Sequence, residues 1–235
     1  MEFTIDTIFD CSFKVCQPKI GYRFSLDSII LARFIKPLKF VKRALDIGSG
    51  CGVIAIYLEK YLNIENVDAV EYQRELFECL LKSISLNNLK INVFNKDIKM
   101  YKPKYCYELI VCNPPYRQEN TGRTSLNDIE RYAKFGSFLT VEDIFRFSHK
   151  YLQNKGLLYI SYDVDLLANV ISISRNYNLE LKRLKFFYAD SKSNAKLAFM
   201  EFRKNVGAWL TVEPPIFQRV DGKLTDDFKN IFKVT

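Results

Sequence analysis

A chain of 235 residues, 48% hydrophobic and 26% charged, can bury the core of one globular domain, yet no apolar run approaches the ~18 residues of a membrane-crossing helix. Six cysteines without a CxxC pair, and His149 as the sole histidine, speak against a metal site and against Ser-His or Cys-His hydrolases; buried free thiols in a reducing compartment are the ordinary reading. The net charge of +8 is clustered: positions 14 to 43 hold eight Lys and Arg against Asp27 alone, with aromatics between, which suits a polyanion such as nucleic acid as well as a plain lysine-rich surface.

The N-terminal "MEFTIDTIFDCSFK" is acidic before it is basic, unlike a signal peptide, so the cytoplasm is expected. Residues 1–18 alternate in polarity and predict a hairpin or edge strands. "SLDSIILARFIK" (25–36) sets Leu26, Ile29, Ile30 and Phe34 on one helical face, with Ser25 as N-cap and Pro37 as the stop. "RALDIGS" predicts a buried strand, 53–61 the helix after a glycine loop, "NVDAVEY" a second strand, and 73–86 a helix. "INVFNKD" and "YELIVCN" are the third and fourth strands. A polar loop is expected over 117–138, a helix over 141–152, a fifth strand at "GLLYISY" and then a further helix. Two last strands, "NLELKRLKFFYA" and "KLAFMEFRK", are joined by "DSKSNA". The alternation predicts an α/β fold: a doubly wound sheet, mostly parallel, with an antiparallel edge hairpin. The chain reads as a single domain, with 1–40 an N-terminal extension and 205–235 a C-terminal arm carrying one short helix.

Two places in this pattern carry chemistry. "LDIGSGCG" puts Asp46, Gly48, Gly50 and Gly52 at a strand end, where glycines let backbone approach a ligand closely. Glu71 ends the next strand, where a carboxylate can accept from both hydroxyls of a ribose. A dinucleotide site would show GxGxxG, but Val53 stands where the third glycine belongs, so a ligand with an adenosine and a zwitterionic amino-acid end fits better. The alternative is a mere strand-to-helix turn, disfavoured by Glu71, Asp97 and the next motif following in order.

That motif lies in "ELIVCNPPYRQ" (108–118). A buried strand ending on Asn113, Pro114, Pro115 and Tyr116 leaves as a stiff extended bend, because proline has no N–H to continue a ladder. An exocyclic amine delocalises its lone pair into the base and is a poor nucleophile. If the Asn113 side-chain oxygen and the Pro114 carbonyl accept its two hydrogens, the nitrogen can move towards sp³ and attack a sulfonium methyl, with Tyr116 stacked on the base. Neither histidine nor metal is required.

With these residues in place the chain resembles the class I methyltransferases, whose Rossmann-like sheet binds S-adenosyl-L-methionine (SAM). The resemblance implies that Asp46 lies near the methionine amino group, that Glu71, followed by Tyr72, holds the ribose, and that Asp97 sits beside the adenine amine. Asn-Pro-Pro-Tyr is the signature of the amino-methyltransferases in that class. More narrowly, "QPKIGYRFSLDSIILARFI" (17–35) and "LTVEPPIFQRVDGKLTDDFKNIF" (210–232) resemble the tRNA (adenine-N6)-methyltransferases that modify the adenine 3′ of the anticodon in a bacterial valine tRNA. Phe24 to Asp27 and Gly222 to Asp226 match that family's segments, and Leu224 stands where an aromatic is common. The likeness spans essentially the whole chain. It implies N6-methylation of an unpaired RNA adenine, with Phe24, Ser25 and Asp27 covering the methionine end of the cofactor. A plain N-cap and first-turn acid remain an alternative for Ser25 and Asp27.

The loop after Tyr116 is placed to close over a flipped base, so Arg117, Arg123, Arg131 and Lys134 are candidates to meet phosphates; Lys14, Lys19 and Arg23 would form the opposite wall. Other readings stay open. Protein glutamine-N5 methyltransferases of release factors share the Asn-Pro-Pro-Tyr motif but carry an N-terminal helical domain, where this chain has about 40 strand-like, basic residues. A DNA adenine methyltransferase would carry a larger target-recognition insertion. An inactive nucleic-acid-binding module of the same fold is opposed by intact Asp46, Glu71, Asn113 and Tyr116.

Overall fold

The computed structural model describes residues 2–21, 23–36, 41–114 and 139–233. The N-terminal hairpin forms as the alternation predicts: β1 (Phe3–Ile8) pairs antiparallel with β2 (Phe13–Pro18). Ile8, Phe9, Phe13 and Val15 join the main core. The Cys16 N–H donates to Ser83 Oγ at 2.9 Å, and Asn87 bonds both backbone groups of Lys14. α1 (Leu26–Phe34) starts from Ser25 in extended N-cap geometry, although Ser25 makes no side-chain cap bond. Ile29, Ile30, Leu31, Ala32 and Phe34 are all buried, so α1 is enclosed around most of its circumference rather than along one face.

The alternating region builds β3 (Arg43–Ile47), α2 (Val53–Lys60), β4 (Asn66–Glu71), α3 (Arg74–Leu86), β5 (Ile91–Asn95) and β6 (Tyr107–Cys112). Beyond residue 138 come α4 (Val141–Tyr151), β7 (Leu152–Asp163), α5 (Leu167–Asn176), β8 (Leu179–Tyr188) and β9 (Leu197–Lys204). Five strands run parallel in the order β5-β4-β3-β6-β7, and β9 then β8 continue the sheet antiparallel. The central strands are apolar on both faces, Leu45 and Ile47 in β3 and Ile110 and Val111 in β6 being fully buried, as a sheet covered by two helix layers requires. One core cluster gathers under α1, α2 and α3, the other under α4 and α5. Thr140 opens α4 with a capping box to Asp143. Among the described residues no helix is long and apolar enough to cross a membrane.

Three features differ from the sequence expectation. The helix predicted to reach residue 152 stops at Tyr151, because Leu152 already sits opposite Tyr107 in the sheet. The register then jumps to Leu109 opposite Leu157, with Lys155 in left-handed backbone (φ 62°), a bulge before the apolar run. A second bulge between Leu181 and Arg183 leaves Lys182 and Arg183 both buried. The C-terminal arm, expected as extended chain and a short helix, also widens the sheet: β10 (Thr211–Val212) and β11 (Ile216–Phe217) pair parallel with β8 outside the β8–β9 hairpin. β12 (Arg219–Val220) and β13 (Lys223–Leu224) form a small hairpin before α6 (Asp226–Asn230), which Thr225 caps. The loop expected over 117–138 lies outside the described residues.

Candidate active site

The parallel strands β3, β4 and β6 end on the same side of the sheet, and the chemistry-bearing residues gather there. Gly48 follows β3 in left-handed backbone (φ 67°), and the N–H groups of Gly48 and Ser49 donate to the Val70 carbonyl at 2.9 and 3.1 Å, fastening the loop to β4. Gly52 (φ 96°) begins α2, and a Cβ there would fall 2.6 Å from the Leu80 side chain. Both positions need glycine.

Two carboxylates brace this loop. Asp46 Oδ2 accepts from the Ala55 N–H at 3.0 Å, while its Oδ1 is buried without a hydrogen-bond partner among the described residues. Glu71 accepts from the Gly50 N–H at 2.8 Å and from the Gln73 N–H at 2.7 Å. Burial, eased in part by the Ala55 N–H and the nearby Ser49 hydroxyl and reinforced by the neighbouring Glu71 charge, pushes the Asp46 carboxyl up to about 8; burial also raises Glu71. Among the described residues no cation pairs with either. Two buried acids, one with an orphaned oxygen, make a place for a cationic ligand.

Asn113 directly follows β6, beside Ser161 of β7, whose hydroxyl donates to Asn113 Oδ1 at 2.5 Å. Phe24, Ser28, Gly48, Ser49, Gly50, Cys51, Val53, Ile54 and Asn113 line one cavity. Pro114 is buried next to Asn113. Ser25 and Asp27 do not line that cavity; the Ser25 carbonyl accepts from Ser28, and Asp27 stands in the first turn of α1. Tyr72 is exposed beyond Glu71, and Asp97 caps the short turn after β5 by accepting from the Lys99 N–H at 2.9 Å. Lys14 is exposed, Lys19 pairs with Glu2 at 2.8 Å, and Arg23 pairs with Asp6 at 2.6 Å. Pro115, Tyr116, Arg117, Arg123, Arg131 and Lys134 lie outside the described residues. A larger cavity of about 360 Å³ between α1 and the C-terminal arm contains none of the expected site residues.

Sequence reasoning missed Ser161, Ser28 and Gln17. Gln17 is 1% exposed, and its Oε1 accepts from the Phe24 N–H at 2.9 Å. The signal was present but faint: Gln17 and Ser161 are polar residues at inward strand positions, where apolar ones are the rule. Among the described residues no cluster of His, Cys, Asp and Glu is placed to hold a metal.

The model of the family described as "Methyltransferase small domain" matches residues 25–171. A tRNA1(Val) (adenine(37)-N6)-methyltransferase of Flavobacterium johnsoniae is 24% identical over 82% of this chain and 83% of its own length. One of Pectobacterium carotovorum is 28% identical over 71% and 68%, and one of Dyadobacter fermentans is 23% identical over 94% and 93%. Among solved structures, a predicted O-methyltransferase of Agrobacterium tumefaciens superposes with a TM-score of 0.66 at 17% identity, over 88% of this chain and 95% of that one. A T. thermophilus 16S rRNA methyltransferase, crystallised with AdoMet and guanosine, gives 0.61 at 15% identity, over 86% of this chain and 50% of that one. These likenesses establish the class I methyltransferase fold.

Proposed function

Because the chain belongs to the methyltransferase small-domain family, we propose that it methylates the N6 amine of an unpaired adenine in RNA, adenine 37 of a valine tRNA, as the names of its relatives state for them. The observation that carries this reading is the convergence of Asp46, Glu71 and Asn113 on one end of the sheet. Among the described residues, Asp46 Oδ1 is buried with no hydrogen-bond partner. The cofactor is SAM, which when bound supplies a methyl group on a cationic sulfur. Asp46 would hold its ammonium group, Glu71 its ribose hydroxyls and Asp97 its adenine amine, with Tyr72 next to Glu71. Phe24, with the turn of Gly48, Gly50 and Gly52, would enclose the methionine end, and Ser25 and Asp27 stand outside that cavity at the start of α1.

Asn113 Oδ1 has two lone pairs. It accepts from Ser161 and would also accept one N–H of the target amine, while the Pro114 carbonyl takes the second. Pro115 and Tyr116 complete the platform for the base. Residues 1–40 and 205–235 act as extension and arm of one catalytic domain. The six free cysteines accord with work in the cytoplasm, beside the RNA.

The test is incubation of the pure protein with SAM and unmodified tRNA, followed by mass spectrometry of the nucleosides. N6-methyladenosine is the expected product. Methylated release factor, with RNA left unchanged, would replace this reading by the glutamine one.

A further inference from the structure

We propose that Gln17 is a positioning residue of the cofactor pocket, and that Arg23 and Asp6 serve it there rather than serving the RNA; this rests on the SAM site described above. The side chain of Phe24 lines the cavity, yet Phe24 lies in irregular chain between the hairpin and α1. Its backbone N–H donates to Gln17 Oε1 at 2.9 Å. Gln17 is 1% exposed, so water cannot substitute for either end of its amide. The other end donates from Nε2 to Asp6 Oδ2 on the facing strand. The same oxygen accepts from Arg23 Nη2 at 2.6 Å, and Arg23 Nη1 donates to Thr4 Oγ1 at 3.1 Å. Residues 23 and 24 are thus stitched to both strands of the hairpin, which is itself anchored on α3 through Ser83.

The parts of this unit differ in weight. The Arg23–Asp6 pair is about two-fifths exposed on both sides, where ion pairs contribute little. Gln17 is sealed in, and emptying its two bonds leaves the Phe24 N–H without its acceptor, while the Asp6 oxygen keeps Arg23. The hairpin therefore sets the height of Phe24 over the pocket, and Gln17 transmits it. A guanidinium committed to Asp6 and Thr4 is also poorly placed to neutralise a phosphate.

The test compares wild type, Gln17→Met and Arg23→Met by calorimetry with SAM, by binding of an anticodon stem-loop RNA, and by steady-state kinetics. Gln17→Met is expected to raise the SAM Kd and KM about tenfold, the usual effect of removing a buried hydrogen-bonded group. Its kcat at saturating SAM and its RNA affinity should stay within about twofold. Arg23→Met should weaken SAM by a smaller factor and leave RNA binding intact. A Gln17→Met protein with a lower melting temperature but unchanged SAM affinity would reduce Gln17 to a structural residue and overturn the proposal. So would an Arg23→Met protein that loses RNA affinity alone. Should Gln17→Met fail to fold, the half-exposed Asp6→Ala, which removes the acceptor of Nε2, carries the same expectation of weakened SAM binding. A wild type that does not bind SAM at all would sink the cofactor reading itself, and this one with it.

Discussion

Asp46 enters folding as an acid whose ordinary value is near 3.8 and is raised to about 8 by burial in the folded protein. A carboxyl raised on folding favours the folded state fully below its unfolded value, and that contribution is lost as pH climbs towards 8. The ligand-free protein should therefore lose melting temperature between pH 5 and 8, and Asp46→Asn should flatten that slope in a calorimetric pH series. Near pH 7 a cationic ligand draws the proton off, so SAM binding should release up to about one proton, read by calorimetry in buffers of different ionisation enthalpy. Glu71→Ala should weaken SAM by about 2 kcal/mol or more, as removal of a buried charged acceptor does. Asn113→Ala should instead lower turnover at least about a hundredfold with little change in SAM affinity, since its contribution falls in the transition state. An active Asn113→Ala enzyme would refute the amide's role. The positions of Asp46, Glu71 and Asn113 were legible because each lies at or within one residue of a strand's end, so linear order alone puts them at one end of the sheet. Gln17 and Ser161 were not, because each acts across a strand pairing that no local pattern reveals.

At the level of elements, the parallel strands and their helices could be read from apolar runs and glycine punctuation. The bulges could not, since a bulge exists only relative to the partner's register: Lys182 and Arg183 read as one inward and one outward residue until β9 is set beside them. The bulge brings Arg183 to Glu201 at 2.5 Å and to Glu213 of the C-terminal arm at 2.9 Å, while its Nη2 donates to the Phe34 carbonyl at 3.3 Å. One buried guanidinium thus joins the sheet, the arm and the end of α1. Arg183→Met takes one of two cations from Glu201, whose side chain is 3% exposed and which keeps Arg203 and the Tyr159 hydroxyl, and should cost about 1–3 kcal/mol in denaturant unfolding. Changing Arg183 and Glu201 together to apolar residues should recover part of that loss. If the single variant unfolds like wild type, the arm is held by its strand pairing alone. Gly52→Ala meets both a left-handed backbone and Leu80, so it should destabilise by about 1–3 kcal/mol in the same assay.

For the whole molecule the question is how an RNA brings one base to the ends of β3 and β6. An adenine in an anticodon loop is unpaired, so lifting it from its neighbours costs far less than opening a duplex. Recognition then falls on the fold of the RNA around that base and on phosphates met by a chain of net charge +8. The charge is not all available: Lys19 sits with Glu2 and Arg23 with Asp6, whereas Lys14 has no carboxylate in ion-pair reach among the described residues. The Lys19 pair is the more exposed of the two, and the Arg23 guanidinium is held by Thr4 as well as by Asp6. Lys14 and Lys19, together with Arg117, Arg123, Arg131 and Lys134 from the polar loop, are thus the cations proposed for the phosphates. Each neutralised phosphate adds roughly 0.7 to 0.9 to the slope of log affinity against log salt, so four engaged cations would give a slope of about −3. Titrating an anticodon stem-loop at several salt concentrations measures this, and Lys14→Ala should make the slope shallower by a little under one while SAM affinity stays unchanged. A flat salt response in the wild type would mean that the charge serves solubility and that a substrate without phosphates occupies the site.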